Sequence, residues 1–147
     1  MALVKATLAD IPRILPCARE YTDIIPGMEF NAYHYMEYWR RALTSEIGVI
    51  FLDVDPAGVV TGGIGGIVSP EPLSGRLTAI EMFWYTAAGR RGAGIKLYSR
   101  FKQWAREQGA TRLAMIYLPC SMPDELKRFY EREGLSLLEM HYEGELK

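Results

Sequence analysis

Three cations crowd one short stretch of the chain. Arg90, Arg91 and Lys96 surround Gly92 and Gly94, directly ahead of a segment carrying Leu97, Tyr98, Phe101, Trp104 and Ala105 at helical spacing. A helix N-terminus bears partial positive charge and is normally matched by Asp or Glu. No acid stands in this stretch. The arrangement makes sense if an anion rests on the exposed amides, with Gly92 and Gly94 letting the backbone close on it. The sequence therefore predicts a phosphate site.

A second chemical feature lies just upstream. Ile80 to Tyr85 is a short apolar and aromatic run suited to a buried strand. Period-two alternation puts Ala79, Glu81, Phe83 and Tyr85 on one face and Ile80, Met82 and Trp84 on the other. A carboxylate among aromatics on a central strand is costly unless paired or used, and burial raises its pKa towards the range of a useful general base. Glu81 is thus either a base or half of a structural ion pair.

Known phosphate codes narrow the ligand. A P-loop needs G-x-x-x-x-G-K-S/T; Gly89 and Gly94 have the spacing, but Ile95, Lys96 and Leu97 misplace the lysine and omit the hydroxyl. A dinucleotide fingerprint needs a third glycine where Leu97 stands. The stretch instead resembles the acetyl-CoA pyrophosphate motif of the GNAT N-acetyltransferase superfamily, which reads Arg or Gln, two residues, Gly, one residue, then Gly or Ala. Arg91 to Ile95 fits this pattern, and Lys96 departs from it. The run Arg128-Phe129-Tyr130-Glu131-Arg132-Glu133-Gly134-Leu135 resembles the family's closing segment, a Phe or Leu, a Tyr, three residues, Gly and Phe, with Leu135 in the last aromatic place.

The resemblance implies an α/β acyl-CoA N-acyltransferase fold: a mixed, mostly antiparallel central sheet with helices on both faces, whose central strand splays from the next to admit the thioester. It implies acetyl-CoA as cosubstrate and no metal. Backbone amides around Trp84, Tyr85 and Thr86 would polarise the thioester carbonyl, and Arg91, Gly92, Ala93, Gly94, Ile95 and Lys96 would hold the pyrophosphate. Tyr130 takes the general-acid place: a phenol of pKa about 10 is matched to a thiolate whose acid is near 8.5. Glu81 takes the general-base place. The first two helices wall the acceptor site in this family, which makes Met28, Glu29 and Tyr33 candidates for substrate contact. The implied activity is acetyl transfer to a primary amine, a small molecule before a protein, with a homodimer possible. The rival reading is a non-catalytic acyl-CoA-binding or protein-interaction module on the same scaffold. Pro123 occupies a place where many members carry Asn.

The elements that must position these residues follow from the remaining pattern. The 147 residues predict a single domain, and 49% hydrophobic against 24% charged residues exclude disorder as the default. A net charge of −1 gives no support to nucleic-acid binding. No run reaches membrane-spanning length and the start lacks a signal-peptide core, so a cytoplasmic protein is expected. Cys17 and Cys120 are read as reduced and buried; with His34 and His141 they show no metal-ligand spacing.

Ala2 to Ala6 reads as a strand, Thr7-x-x-Asp10 as a capping box, and Ile11, Leu15, Ala18 and Tyr21 as one helix stripe. Asn31 caps a second helix striped by Tyr35, Tyr38, Trp39 and Ala42. Gly48 to Val54 and Val59 to Val68 read as paired strands around the Asp55-Pro-Ala-Gly58 turn. Four glycines in the second of these point to a bulge or a close approach. After the central strand and helix, Arg112 to Leu118 reads as a strand, Asp124 to Glu133 as a helix and Leu135 to Leu146 as a closing strand.

Overall fold

The computed structural model describes residues 2–90 and 92–147, so Arg91 lies outside the described residues. A five-stranded sheet runs in the order β1 (Ala2–Lys5), β2 (Gly48–Val54), β3 (Val60–Pro70), β4 (Leu77–Thr86), β5 (Arg112–Ala114). The first three pairings are antiparallel and β4 with β5 is parallel, so the sheet is mixed and mostly antiparallel. Helices α1 (Ile11–Asp23), α2 (Ala32–Thr44), α3 (Ala93–Glu107) and α4 (Pro123–Arg132) complete the elements. The chain divides into two compact units, one reaching to Ile116 and the other spanning Tyr117–Lys147. None of the helices is long and apolar enough to cross a membrane among the described residues.

In the first unit, strand alternation sorts the core into two layers. Ile50, Leu52 and Val54 of β2 pack with Ile11, Ile14 and Cys17 of α1 and Trp39 and Ala42 of α2. Val49 and Phe51 point the other way, to Leu97, Phe101 and Trp104 of α3. The helix starts are local chemistry. The Thr7 amide donates to Asp10 Oδ2 at 2.8 Å, closing the expected capping box, and Asn31 Oδ1 accepts the His34 amide at 3.0 Å. Pro16 sits inside α1 without ending it.

The glycines of β3 explain how large side chains cover this sheet so closely. A Cβ at Gly66 would lie 2.4 Å from the Ile80 carbonyl oxygen and 2.5 Å from Phe101 Cζ; one at Gly65 would lie 2.4 Å from Phe83 Cε1 and 2.8 Å from Trp39. Phe101 and the Trp39–Phe83 pair thus press on opposite faces where side chains are missing. These glycines also mark an irregularity: Gly65 pairs with Phe83 and Gly66 with Glu81, leaving Met82 as the extra residue of a bulge.

The bulge overturns the uninterrupted alternation expected for β4. Ala79 packs on the α3 layer, whereas Phe83 packs on the α1–α2 layer with Tyr85 against it. Glu81 pairs with Gly66, whose open side faces Phe101, so it shares the α3 face with Ala79. An extra residue shifts every later side chain to the opposite face.

Three further expectations are corrected. β5 ends at Ala114, not Leu118, because the Ile116 amide turns to the Glu81 carboxylate instead of a strand. Residues 135–147 hold no strand: no ladder partner covers them, and Leu137, Leu138 and Tyr142 stand 70%, 80% and 92% exposed. Cys17 is buried as expected, but Cys120 is exposed.

Candidate active site

β4 and β5 pair through only three residues, Thr78↔Arg112, Ala79↔Leu113 and Ile80↔Ala114, and then separate. Glu81 is the first residue beyond the last pair. Its side chain is 2% exposed, and Oε2 accepts the Ile116 amide at 2.8 Å. Desolvation pushes its carboxyl up to about 8, with the Ile116 hydrogen bond pulling the other way. The group bridges the two diverging chains and holds a proton near neutral pH.

The start of α3 packs against the part of β4 that has left β5. Gly92 caps the helix in the left-handed region at φ 77°, a conformation only glycine adopts without strain. A Cβ at Gly94 would lie 3.6 Å from the Trp84 indole and 3.7 Å from Thr86 Cγ2, an ordinary contact distance that places this first turn on the end of β4. No acidic residue occupies the turn. Ala93 is buried and Ile95 is exposed. The helix positive end therefore opens beside the separated strand, as an anion cradle requires.

The cations around this cradle divide their work. Arg90 donates to Asp53 Oδ2 through Nη2 at 2.5 Å and Nε at 2.9 Å, and Thr61 Oγ1 donates to the same oxygen at 2.9 Å. Arg90 thus ties the loop after β4 to β2, a structural duty that the sequence did not reveal because Asp53 lies 37 residues away. Lys96 lines a cavity of about 300 Å³ with Asp53, Arg90 and Ala93.

The other strand residues are anchored separately. Trp84 is half-buried on the α3 layer, its ring 5.9 Å from Tyr98. Tyr85 on the opposite face donates its hydroxyl to Glu20 of α1, and this bond, more than burial, pushes its pKa up to about 12. Thr86 pairs with Gly62.

On the α1–α2 face lies a larger cavity of about 870 Å³, a size that suits a small organic ligand. Met28, Glu29 and Tyr33 line it, together with Met82 and Phe83 at the β4 bulge. The structure brings these three candidates to one wall. It adds Tyr35, Tyr38 and Trp39, which helical periodicity assigned to core alone. Phe30, directly before the Asn31 cap, also lines the cavity and carried no periodic signal.

In the second unit, Tyr130 is the buried residue of α4. Its ring lies 6.0 Å from Phe129, and its carbonyl accepts the Leu135 amide at 2.9 Å, closing the helix through Gly134 at φ 80°. Asp124 and Glu125 complement the α4 N-terminus. Among the described residues no three His, Cys, Asp or Glu side chains gather as a metal-binding group.

No protein-family model and no curated protein sequence matches the chain. Solved structures do. A probable acetyltransferase is 22% identical, with 100% of this chain and 97% of that one covered and a TM-score of 0.75. A predicted acetyltransferase with acetyl-CoA, from Clostridium acetobutylicum, is 17% identical over 98% and 95% of the two chains, with a TM-score of 0.76. An aminoglycoside acetyltransferase from an uncultured soil metagenomic sample is 16% identical over 99% and 96%, also at 0.76. The chain carries the acyl-CoA N-acyltransferase fold of these proteins from end to end.

Proposed function

We propose that the chain is a GNAT-type N-acetyltransferase, a single catalytic domain that moves acetyl from acetyl-CoA to a primary amine. One observation carries the reading: β4 parts from β5 after Ile80, and the acid-free first turn of α3 packs on the stretch of β4 so released. A thioester needs a slot with oriented backbone donors, and its pyrophosphate needs a helix N-terminus; here the two adjoin. The solved likeness holding acetyl-CoA supports the same donor.

In this reading the pyrophosphate rests on residues 91–96, with Arg91 and Lys96 supplying charge and Gly92, Ala93, Gly94 and Ile95 supplying backbone. The thioester carbonyl lies against the backbone of Trp84 to Thr86. The acceptor enters from the α1–α2 cavity past Met28, Glu29 and Tyr33. Its neutral nitrogen attacks the carbonyl carbon, forming the C–N bond as the C–S bond breaks. Glu81, once ionised, takes the proton released from nitrogen through water in the gap between β4 and β5, because its carboxylate lies on the α3 face and the acceptor enters from the other. Tyr130 gives its proton to the departing thiolate, a role assigned from its motif place.

A non-catalytic acyl-CoA-binding module is the second reading. It is favoured by the engagement of Glu81 with the Ile116 amide, which gives the carboxylate a structural duty without chemistry.

Calorimetric titration of acetyl-CoA into wild type and Arg91→Glu tests the donor site. Micromolar binding lost in the variant is expected, and no binding to wild type would overturn both readings. Thiol release from acetyl-CoA with an amine panel separates them: turnover lost in Tyr130→Phe supports the enzyme, and tight binding without turnover supports the module.

A further inference from the structure

The α1–α2 cavity restricts the chemistry of its occupant. Seven of its lining side chains are Phe, Tyr or Trp. They interlock: Trp39 meets Phe83 edge-on at 5.5 Å, and Phe30 lies 5.7 Å from Tyr35. Such a wall accepts a flat apolar body and attracts a single cation to its ring faces.

The charges on the wall are few and mostly committed. Glu37 is held by Arg40 at 3.0 Å and by Arg41 at 3.8 Å. Glu29 makes no ion pair among the described residues. Arg19 places its guanidinium 5.0 Å over the Phe30 ring, and Arg41 lines the cavity itself. Glu29 is thus the lining carboxylate left to an incoming ammonium, since Glu37 is already matched by Arg40 and Arg41, and the wall offers no second one to a polycation.

We propose that this cavity selects a primary monoamine with an aromatic body, an arylalkylamine, over polyamines and aminoglycosides. The inference rests on the acetyltransferase reading for what happens to the amine, but not for its binding. Glu29 draws the ammonium to the mouth, and the rings hold the body.

The test uses the full chain and three named probes, phenethylamine, spermidine and kanamycin, each titrated calorimetrically and then offered with acetyl-CoA while thiol release is followed. Phenethylamine is expected to bind at least about ten-fold more tightly than either polycation. Glu29→Gln should weaken it about five-fold, the scale of one solvated ion pair. Spermidine or kanamycin binding more tightly, no binding by any probe, or indifference to Glu29→Gln would overturn the proposal. Turnover of a polycation without phenethylamine would leave the acetyltransferase reading standing and remove this inference. Phenethylamine binding without thiol release in saturating acetyl-CoA would leave the inference standing and count against the enzyme.

Discussion

The Glu81 carboxylate accepts the Ile116 amide at 2.8 Å, one residue past the last ladder pair between β4 and β5. A side chain has replaced a main-chain partner at the point where two parallel strands diverge. Buried amides are almost always paired, so a sheet can open at this place only if something else takes the hydrogen bond. Glu81 reaches it from the α3 face that it shares with Ala79, directly before the Met82 bulge. The same carboxylate is therefore both strut and proton store.

That dual role makes stability depend on pH. The folded carboxyl titrates near 8, against a reference of 4.5, with burial as the main cause. Between these values the folded chain binds more protons than the unfolded one, so stability falls as pH rises from about 4.5 to 8. The full effect is on the order of 5 kcal/mol. Glu81→Gln keeps an acceptor for Ile116 and removes the titration. Thermal unfolding of both proteins from pH 5 to 8.5 should show the loss with pH in wild type and a flatter profile in the variant. Parallel profiles would mean that Glu81 does not hold its proton in the folded state.

Activity should run in the opposite direction. A base must be ionised, so kcat/KM is expected to rise with an apparent pKa near 8, set by Glu81 in the free enzyme. Glu81→Gln should lower the rate by about two orders of magnitude, the scale of general-base catalysis, and abolish that limb. A variant that retains the limb would assign the titration to the acceptor amine instead. Rates measured against an acceptor of different pKa distinguish the two.

Two glycines should respond in opposite senses to the same substitution. At Gly66 a methyl would meet the Ile80 carbonyl oxygen at 2.4 Å and Phe101 at 2.5 Å, and the backbone oxygen has no room to yield. Gly66→Ala is expected to cost about 2–3 kcal/mol in chemical denaturation. At Gly94, in the first turn of α3, the same methyl finds only ordinary contacts with Trp84 and Thr86 of β4, so Gly94→Ala should stabilise the helix by about 0.5–1 kcal/mol. It should also weaken acetyl-CoA binding about ten-fold, because the pyrophosphate needs close backbone approach. Unchanged affinity would place the anion elsewhere.

Local chemistry was the part of this fold most legible in the sequence. The Thr7–Asp10 box, the Asn31 cap, the Asp55–Gly58 turn and the left-handed Gly92 at the start of α3 depend on residues within a few positions of one another. The strand, glycine turn and helix around Gly92 belong to the same class. What escaped was set by distant partners. Asp53 claims Arg90 from across the sheet, and Gly65 and Gly66 register the bulge that sends Glu81 and Phe83 to opposite faces. The stretch after Leu135 has strand composition, but pairing is a property of two segments and none reaches it. Tyr35 and Trp39 share the α2 stripe, and periodicity alone cannot say that a stripe both packs and lines a cavity.

The Arg90–Asp53 pair gives the last prediction, because it separates structure from ligand binding within a few residues. Both side chains are largely buried, at 19% and 11% exposure, and Thr61 donates to the same carboxylate oxygen. Removing one partner of a buried pair leaves an uncompensated charge, which costs more than the pair itself contributes. Asp53→Asn should therefore destabilise the chain by about 2 kcal/mol, reduced from the fully buried case because some solvent reaches both groups. Asp53→Asn combined with Arg90→Met should recover part of that loss, since neither charge remains. If Arg90 serves only to fasten the loop, acetyl-CoA affinity in the double variant should stay within about three-fold of wild type. If Arg90 also touched the pyrophosphate, the double variant would lose affinity while regaining stability. Denaturation and calorimetry on the same four proteins, wild type, both single variants and the double, decide between these outcomes.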